Sequence, residues 1–201
     1  MTTIYFVRHA QPNYGWKDDR TRPLTEAGER DSERVYEVLR DVELDYAVSS
    51  PYKRTVDTIR HCADCHRLEI HTDERFRERE SGEGGNRREM IRRRWADFDY
   101  HEEGGESLHM VQMRNIEGLL ELLGRHEGEK LLVGTHGTAL STILNYYDPS
   151  YGHDNYIRMI DYMPYIIRLD FEDGKCMGKE ELLIVEKEFI DYSNPLHSTT
   201  S

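Results

Sequence analysis

The run Ile4-Tyr5-Phe6-Val7 constrains the fold of this chain more than any other stretch. Four consecutive apolar or aromatic residues lead directly into Arg8-His9-Ala10. A short unbroken apolar run predicts a strand covered on both faces, as inside a parallel sheet with helices above and below it. The Arg-His pair then stands at the carboxyl end of that strand, the edge at which open α/β sheets bind ligands.

The rest of the chain alternates in the same sense. Strands are expected over residues 3–8, 45–49, 68–71 and 130–135. Helices are expected over 25–40, 51–66, 107–125 and 138–147. Thr25 is placed to cap the first helix, with Glu26 favourable in its first turn. Ser50-Pro51 reads as an N-cap followed by proline at the first helical position. Ser107 opens a long helix carrying Leu108, Val111, Ile116, Leu119, Leu120 and Leu123 near helical spacing. Two further strands, 165–169 and 182–185, flank an Asp173-Gly174 turn signal and predict a hairpin-like connection. Residues 73–105 are rich in Arg, Glu and Gly and read as an excursion from the sheet that folds over the site. The pattern predicts one domain over 1–193, a three-layer α/β/α sandwich with a mostly parallel central sheet, and a frayed tail at 194–201.

Composition narrows the function. The chain has 201 residues, 33% of them charged, and a formal net charge of -12; its mean hydropathy is -0.81. That balance disfavours nucleic acid or an anionic membrane as main partner, since both require a large positive field. A small anionic substrate is compatible with it, because a pocket responds to its own local charges. No stretch approaches the roughly 18 apolar residues of a membrane span, and no signal peptide is visible, so a cytoplasmic protein is expected. Three cysteines do not make a disulfide framework. Oligomeric state is not legible.

Three segments share one plan of apolar strand, short polar turn and helix. They are Val7-Arg8-His9, Ser49-Ser50-Pro51-Tyr52-Lys53-Arg54 and Gly134-Thr135-His136-Gly137-Thr138. If their strands are parallel neighbours, two arginines, two histidines and two helix N-termini meet at one sheet edge. Helix N-termini present free N–H groups and partial positive charge, and arginine presents a planar fork matched to phosphate oxygens. A neutral imidazole is a good nucleophile toward phosphorus, and the surrounding cations stabilise charge on the transferring group. A nearby carboxylic acid would protonate the leaving alkoxide.

Arg8-His9-Ala10 resembles the Arg-His-Gly signature of the histidine phosphatase family, which includes the cofactor-dependent phosphoglycerate mutases. Further matches follow in the family's order. They are Leu24-Thr25-x-x-Gly28, Ser49-Ser50-Pro51-x-x-Arg54, Phe76-Arg77-Glu78, Gly104-Gly105-Glu106-Ser107 with Arg114, and Thr135-His136-Gly137. They span residues 3 to 145. The resemblance implies the three-layer fold, no metal and no cofactor. It implies His9 as the phosphorylated nucleophile, with Arg8, Arg54 and His136 holding the phosphate and Glu78 as proton donor. Ala10 departs from the usual glycine. The family's asparagine six residues after the histidine is Gly15 here, which makes Asn13 the candidate for that phosphate contact. The usual Trp-Glu-Gly is replaced by Glu83-Gly84-Gly85-Asn86, so the segment over the site is remodelled.

The expected activity is hydrolysis of a small phosphorylated metabolite through a phosphohistidine on His9. A phosphoglycerate-type mutase and a non-catalytic phospho-ligand binder are the alternatives, and intact Arg8, His9, Arg54 and His136 weigh against the second. Glu80 competes with Glu78 for the acid role. The cluster Arg87, Arg88, Arg92, Arg93 and Arg94 reads equally as substrate steering or as a solvated helix face. Cys62-Ala63-Asp64-Cys65-His66 has the spacing of a c-type haem attachment. Without an export signal, and late in a helix, it reads instead as a helix end with small thiols; a zinc site using His61 or His66 lacks an evident fourth ligand.

Overall fold

The computed structural model describes residues 1–83 and 85–187. Six strands form one sheet: β1 (Thr2–Arg8), β2 (Tyr46–Ser49), β3 (Ile70–Thr72), β4 (Lys130–Thr135), β5 (Tyr162–Glu172) and β6 (Lys175–Glu186), in the order β3-β2-β4-β1-β5-β6. The β1/β4, β4/β2 and β2/β3 pairings are parallel, and β5 and β6 add antiparallel at one side. The helices are α1 (Glu26–Leu39), α2 (Lys53–Cys65), α3 (Arg88–Ala96), α4 (Leu108–Arg125), α5 (Gly137–Tyr147) and α6 (His153–Met159).

The alternation within β1 explains the layers. Ile4 and Phe6, both fully buried, join Leu131, Val133 and residues of α4, α5 and α6 on one face. Tyr5 and Val7 join Leu132, Val35 and Leu39 of α1, and Ile59 and Cys62 of α2, on the other. The expected three-layer α/β/α fold is therefore present. Burying each large apolar side chain contributes about 1.5–3 kcal/mol, so β1 is anchored from both sides and its end is fixed. The parallel register pairs Arg8 with Thr135 and Ser49 with Gly134, which brings three strand ends to one edge.

Local sequence sets most boundaries. Thr25 accepts the Gly28 N–H at 3.0 Å, and Ser107 accepts the Met110 N–H at 3.1 Å, so both expected caps form. Gly28 is required by packing, since a Cβ there would lie 2.3 Å from the Gln11 carbonyl oxygen. Asp173 and Gly174 both have positive φ, 49° and 74°, and make the two-residue turn between β5 and β6.

Other boundaries differ from the sequence reading. Helix α2 begins at Lys53, with Tyr52 as N-cap, and not at Pro51. Ser50 Oγ accepts the Tyr52 N–H at 3.3 Å and meets His136 Nε2 at 2.7 Å, while the Lys53 N–H is taken by the Arg20 carbonyl, so the helix starts after the Ser50 turn. Helix α6 was not anticipated, because seven residues with Tyr156 and Met159 buried give too short a period to read. Strand β5 starts three residues early, through Pro164, and β6 extends back through a polar, charged edge. Among its described residues, the 73–105 excursion holds one 3-10 turn (Glu74–Phe76) and α3. The expected tail at 194–201 lies outside the described residues. Among those described, no helix is long and apolar enough to cross a membrane.

Candidate active site

At the sheet edge where β1, β2 and β4 end, a cavity of about 610 Å³ is walled by Arg8, His9, Arg54 and Glu78, by Gly137 and Thr138 at the start of α5, and by residues of the excursion including Arg79, Glu80, Asn86 and Gly104. Four arginines (Arg8, Arg22, Arg54, Arg79) face three carboxylates (Asp19, Glu78, Glu80) in that wall. The cavity is thus locally cationic on a chain of net charge -12.

His9 is 5% exposed. Its Nδ1 lies 2.8 Å from the Ala10 carbonyl oxygen. A carbonyl only accepts, so Nδ1 carries the hydrogen and Nε2 of the neutral ring carries the lone pair. Burial, then the Arg54 and Arg8 guanidinium groups, hold the imidazole well below its ordinary pKa of 6.5, so it is neutral at pH 7. The Ala10 backbone avoids positive φ, so alanine in place of the usual glycine is accommodated, and its N–H donates to Thr58 Oγ1 at 2.9 Å.

Arg8 is aimed by backbone. Its Nη1 donates to the carbonyls of Met159, Ile160 and Tyr162, the last two at 2.9 Å. Its buried Nε has no hydrogen-bond partner among the described residues. Gly137 leaves room for it, since a Cβ would come within 3.3 Å of that Nε. Arg54, in the first turn of α2, lies with its guanidinium 4.9 Å from the Tyr52 ring centroid and donates from Nη1 to the carbonyl and carboxylate of Asp19.

His136 is fully buried behind the wall, its ring centroid 5.3 Å from that of His9. Burial, then Arg54 and His9, keep it well below 6.5. Its Nε2 meets Ser50 Oγ, while Nδ1 has no partner among the described residues. An orphaned buried polar atom costs about 1–3 kcal/mol.

Glu78 spans the excursion and α5. Its Oε1 accepts its neighbour Arg79's N–H at 2.8 Å, and its Oε2 accepts the Thr138 N–H at 3.2 Å. Its segment is clamped by Arg114, which donates to the carbonyls of Arg75, Arg77 and Glu78 and to Glu106. Burial would raise the Glu106 carboxyl, but hydrogen bonds from Arg114 and Arg77 outweigh it and hold the pKa at about 2. Glu80 lies on the rim, its side chain 57% exposed, beside Arg77.

The structure brings Arg8, His9, Arg54, Glu78 and His136 together. Asn13 is not among them: it is exposed, its Oδ1 accepts the Gly15 N–H, and Tyr14 lines the cavity instead. None of the five arginines between 87 and 94 lines it either. Arg94 is buried against Glu102, and Arg93 lies 3.8 Å over the Tyr100 ring. Asp19, Arg22, Arg79 and Tyr156 were missed. Arg79 adjoins Glu78 and could have been found by that; Asp19 and Arg22 sit in a polar loop with no distinguishing pattern, and Tyr156 belongs to the unanticipated α6. Cys62 and Cys65 lie on α2 as expected, Cys62 buried with its thiol pushed up to about 12 by burial, Cys65 exposed. Among the described residues, no cluster of three or more His, Cys, Asp or Glu is arranged to hold a metal.

Residues 4–179 match the histidine phosphatase superfamily (branch 1). The chain belongs to that family. It is 29% identical over 164 residues to a probable phosphoglycerate mutase, GpmB, of Enterobacter sp. (strain 638), covering 72% of this chain and 74% of that protein. It is 28% identical over 149 residues to an uncharacterised phosphatase, PhoE, of Bacillus subtilis (strain 168), covering 72% and 76%. Among solved structures, YhfR of Bacillus stearothermophilus superposes with a TM-score of 0.73 at 24% identity, covering 94% of this chain and 98% of that one. A phosphoserine phosphatase of Entamoeba histolytica bound to 3-phosphoglyceric acid gives 0.73 at 19% identity, covering 89% and 96%. At those identities the structural likeness concerns the histidine phosphatase fold.

Proposed function

We propose that this chain hydrolyses the phosphomonoester of a small phosphorylated metabolite through a phosphohistidine on His9. The observation that carries this reading is the state of His9. Its Nδ1–H is committed to the Ala10 carbonyl, and its pKa is depressed, so Nε2 holds a lone pair at neutral pH beside two guanidinium groups. Nε2 attacks phosphorus and the bond from phosphorus to the ester oxygen breaks. Arg8, Arg54, the α5 N-terminus and His136 take the charge on the phosphoryl oxygens. Glu78 delivers a proton to the departing alkoxide. Water then attacks the phosphohistidine, with the Glu78 carboxylate accepting its proton, and inorganic phosphate leaves with His9 restored.

The test is a phosphate-release screen over phosphorylated metabolites, run with a chelator present. Wild-type protein is expected to release phosphate from at least one phosphomonoester, and His9→Ala to release none while keeping its fold by circular dichroism. Turnover that survives His9→Ala overturns the mechanism. Isomerised substrate without free phosphate would assign a mutase.

A further inference from the structure

The loop after β1 brings one carboxylate onto the guanidinium at the centre of the proposed phosphate site. Arg54 Nη1 donates to the Asp19 carbonyl oxygen at 2.6 Å and to Asp19 Oδ1 at 3.1 Å, and Nη2 approaches Oδ2 at 3.5 Å. Asp19 Oδ1 also accepts Arg22 Nη1 at 2.6 Å. Arg54 has 4% of its side chain exposed, whereas Asp19 has 47%.

A guanidinium has five N–H donors and two edges that can grip an oxyanion as a fork. Asp19 occupies the edge formed by the two terminal nitrogens. The Tyr52 ring lies against the guanidinium, 4.9 Å from centroid to Cζ. The remaining edge, formed by Nε and the second Nη2 hydrogen, has no hydrogen bond to any described residue. Arg54 lines the same cavity as His9. The ring and the carboxylate together leave the guanidinium one open fork.

We infer that Asp19 is a positioning residue for the phosphate-binding step: it holds Arg54 by one edge so that the other edge meets the phosphoryl oxygens, and it screens Arg54 from Arg22. This rests on the phosphatase reading above. It makes Asp19 an aid to turnover and not a competitor of phosphate, although both are anions. The distinction is geometric, because the carboxylate and the phosphate take different edges of one planar group. Losing Asp19 frees Arg54 to rotate about its side-chain torsions and leaves two guanidinium groups facing each other without their shared counter-ion. Misplacement on the order of 1 Å at a reacting centre costs as much as 10²-fold in rate.

The experiment is a double-mutant cycle between Asp19 and Arg54, read as kcat and KM on the best substrate of the screen and as inhibition by vanadate. Asp19→Ala is expected to lower kcat by about 10- to 100-fold with KM changed by less than about threefold. Asp19→Asn, which keeps the volume and one acceptor oxygen, is expected to fall between Asp19→Ala and wild type. In an Arg54→Ala background, Asp19→Ala is expected to cost less than about twofold, because a positioning residue has nothing left to position. Additive losses would overturn the inference, since Asp19 would then act independently of Arg54. Tighter vanadate inhibition with undiminished kcat would also overturn it, by showing that the carboxylate competes with the anion. If His9→Ala abolishes turnover while the cycle is additive, the phosphatase reading stands and this inference alone falls. Thermal denaturation of each variant separates loss of fold from loss of alignment.

Discussion

Replacing Glu78 by glutamine tests the proton donor without emptying its place. The side chain keeps its length, but an amide cannot pass a proton to a leaving oxygen. In the native site both carboxylate oxygens accept backbone N–H groups, from Arg79 at 2.8 Å and from Thr138 at 3.2 Å. Glutamine has one acceptor oxygen, so its NH2 must face one of those donors. One hydrogen bond to a carboxyl oxygen is lost and one donor is left opposed, a cost of about 1–3 kcal/mol to the fold. That lowers the melting temperature without unfolding the protein. The catalytic effect depends on the substrate. An alkyl phosphate must expel an alkoxide, and without an acid the loss should be about 10²–10⁴-fold, equivalent to about 2.7–5.4 kcal/mol of barrier. An aryl phosphate expels a phenolate that leaves unaided, and the loss should stay below about tenfold. The assay is kcat on a matched pair, p-nitrophenyl phosphate and an alkyl phosphate, for wild type and Glu78→Gln. Equal losses on both substrates would refute the acid role. If Glu80→Gln alone showed the dependence on leaving group, the role would pass to Glu80.

Three further outcomes follow from the same geometry. Arg114→Ala removes the clamp on the carbonyls of Arg75, Arg77 and Glu78; turnover should fall at least about tenfold, since it displaces Glu78, and unchanged kinetics would show that the segment holds its place without Arg114. In the proposed mechanism the acid limb of kcat/KM should lie below pH 6.5, because attack requires neutral His9 and its pKa is depressed; a limb at or above 6.5 contradicts the assigned environment. Stability should fall with acid in two stages, measured as the urea midpoint. His9 and His136 bind fewer protons folded than unfolded, so destabilisation begins as pH drops through 6.5, and Glu106, held at about 2 against 4.5 unfolded, adds to it as pH falls from 4.5 toward 2.

The legible parts of this protein were those where a local pattern carries its own reason. Ile4 to Val7 could be read as a doubly covered strand because four apolar residues between polar ends suit a buried strand and are too few for a buried helix. Thr25 and Ser107 could be read as caps because their side chains act on N–H groups three residues away. The meeting of Arg8, Arg54 and His136 could be read because three strand-turn-helix units in parallel must end at one edge. What could not be read depended on partners distant in sequence. Helix α2 starts at Lys53 and not at Pro51 because the Lys53 N–H is taken by the carbonyl of Arg20, in a loop 33 residues earlier. Asp19 and Arg22 acquire meaning only through Arg54, 35 residues from Asp19. Arg94 belongs to a cluster that reads equally as substrate steering or as a solvated face, yet Glu102 makes it a buried ion pair. Asn13 looked like a phosphate ligand by proximity in the chain, but its side chain closes its own turn.

Rapid quench with labelled substrate decides whether phosphate passes through His9. Wild-type protein stopped during turnover should carry label that survives base and is lost in acid, and peptide mapping should place it on His9. The label should be absent from His9→Ala and should accumulate in Glu78→Gln on an aryl phosphate if Glu78 also activates the water. Steady turnover with no acid-labile label at His9 at any quench time, or label on another residue, would contradict the account.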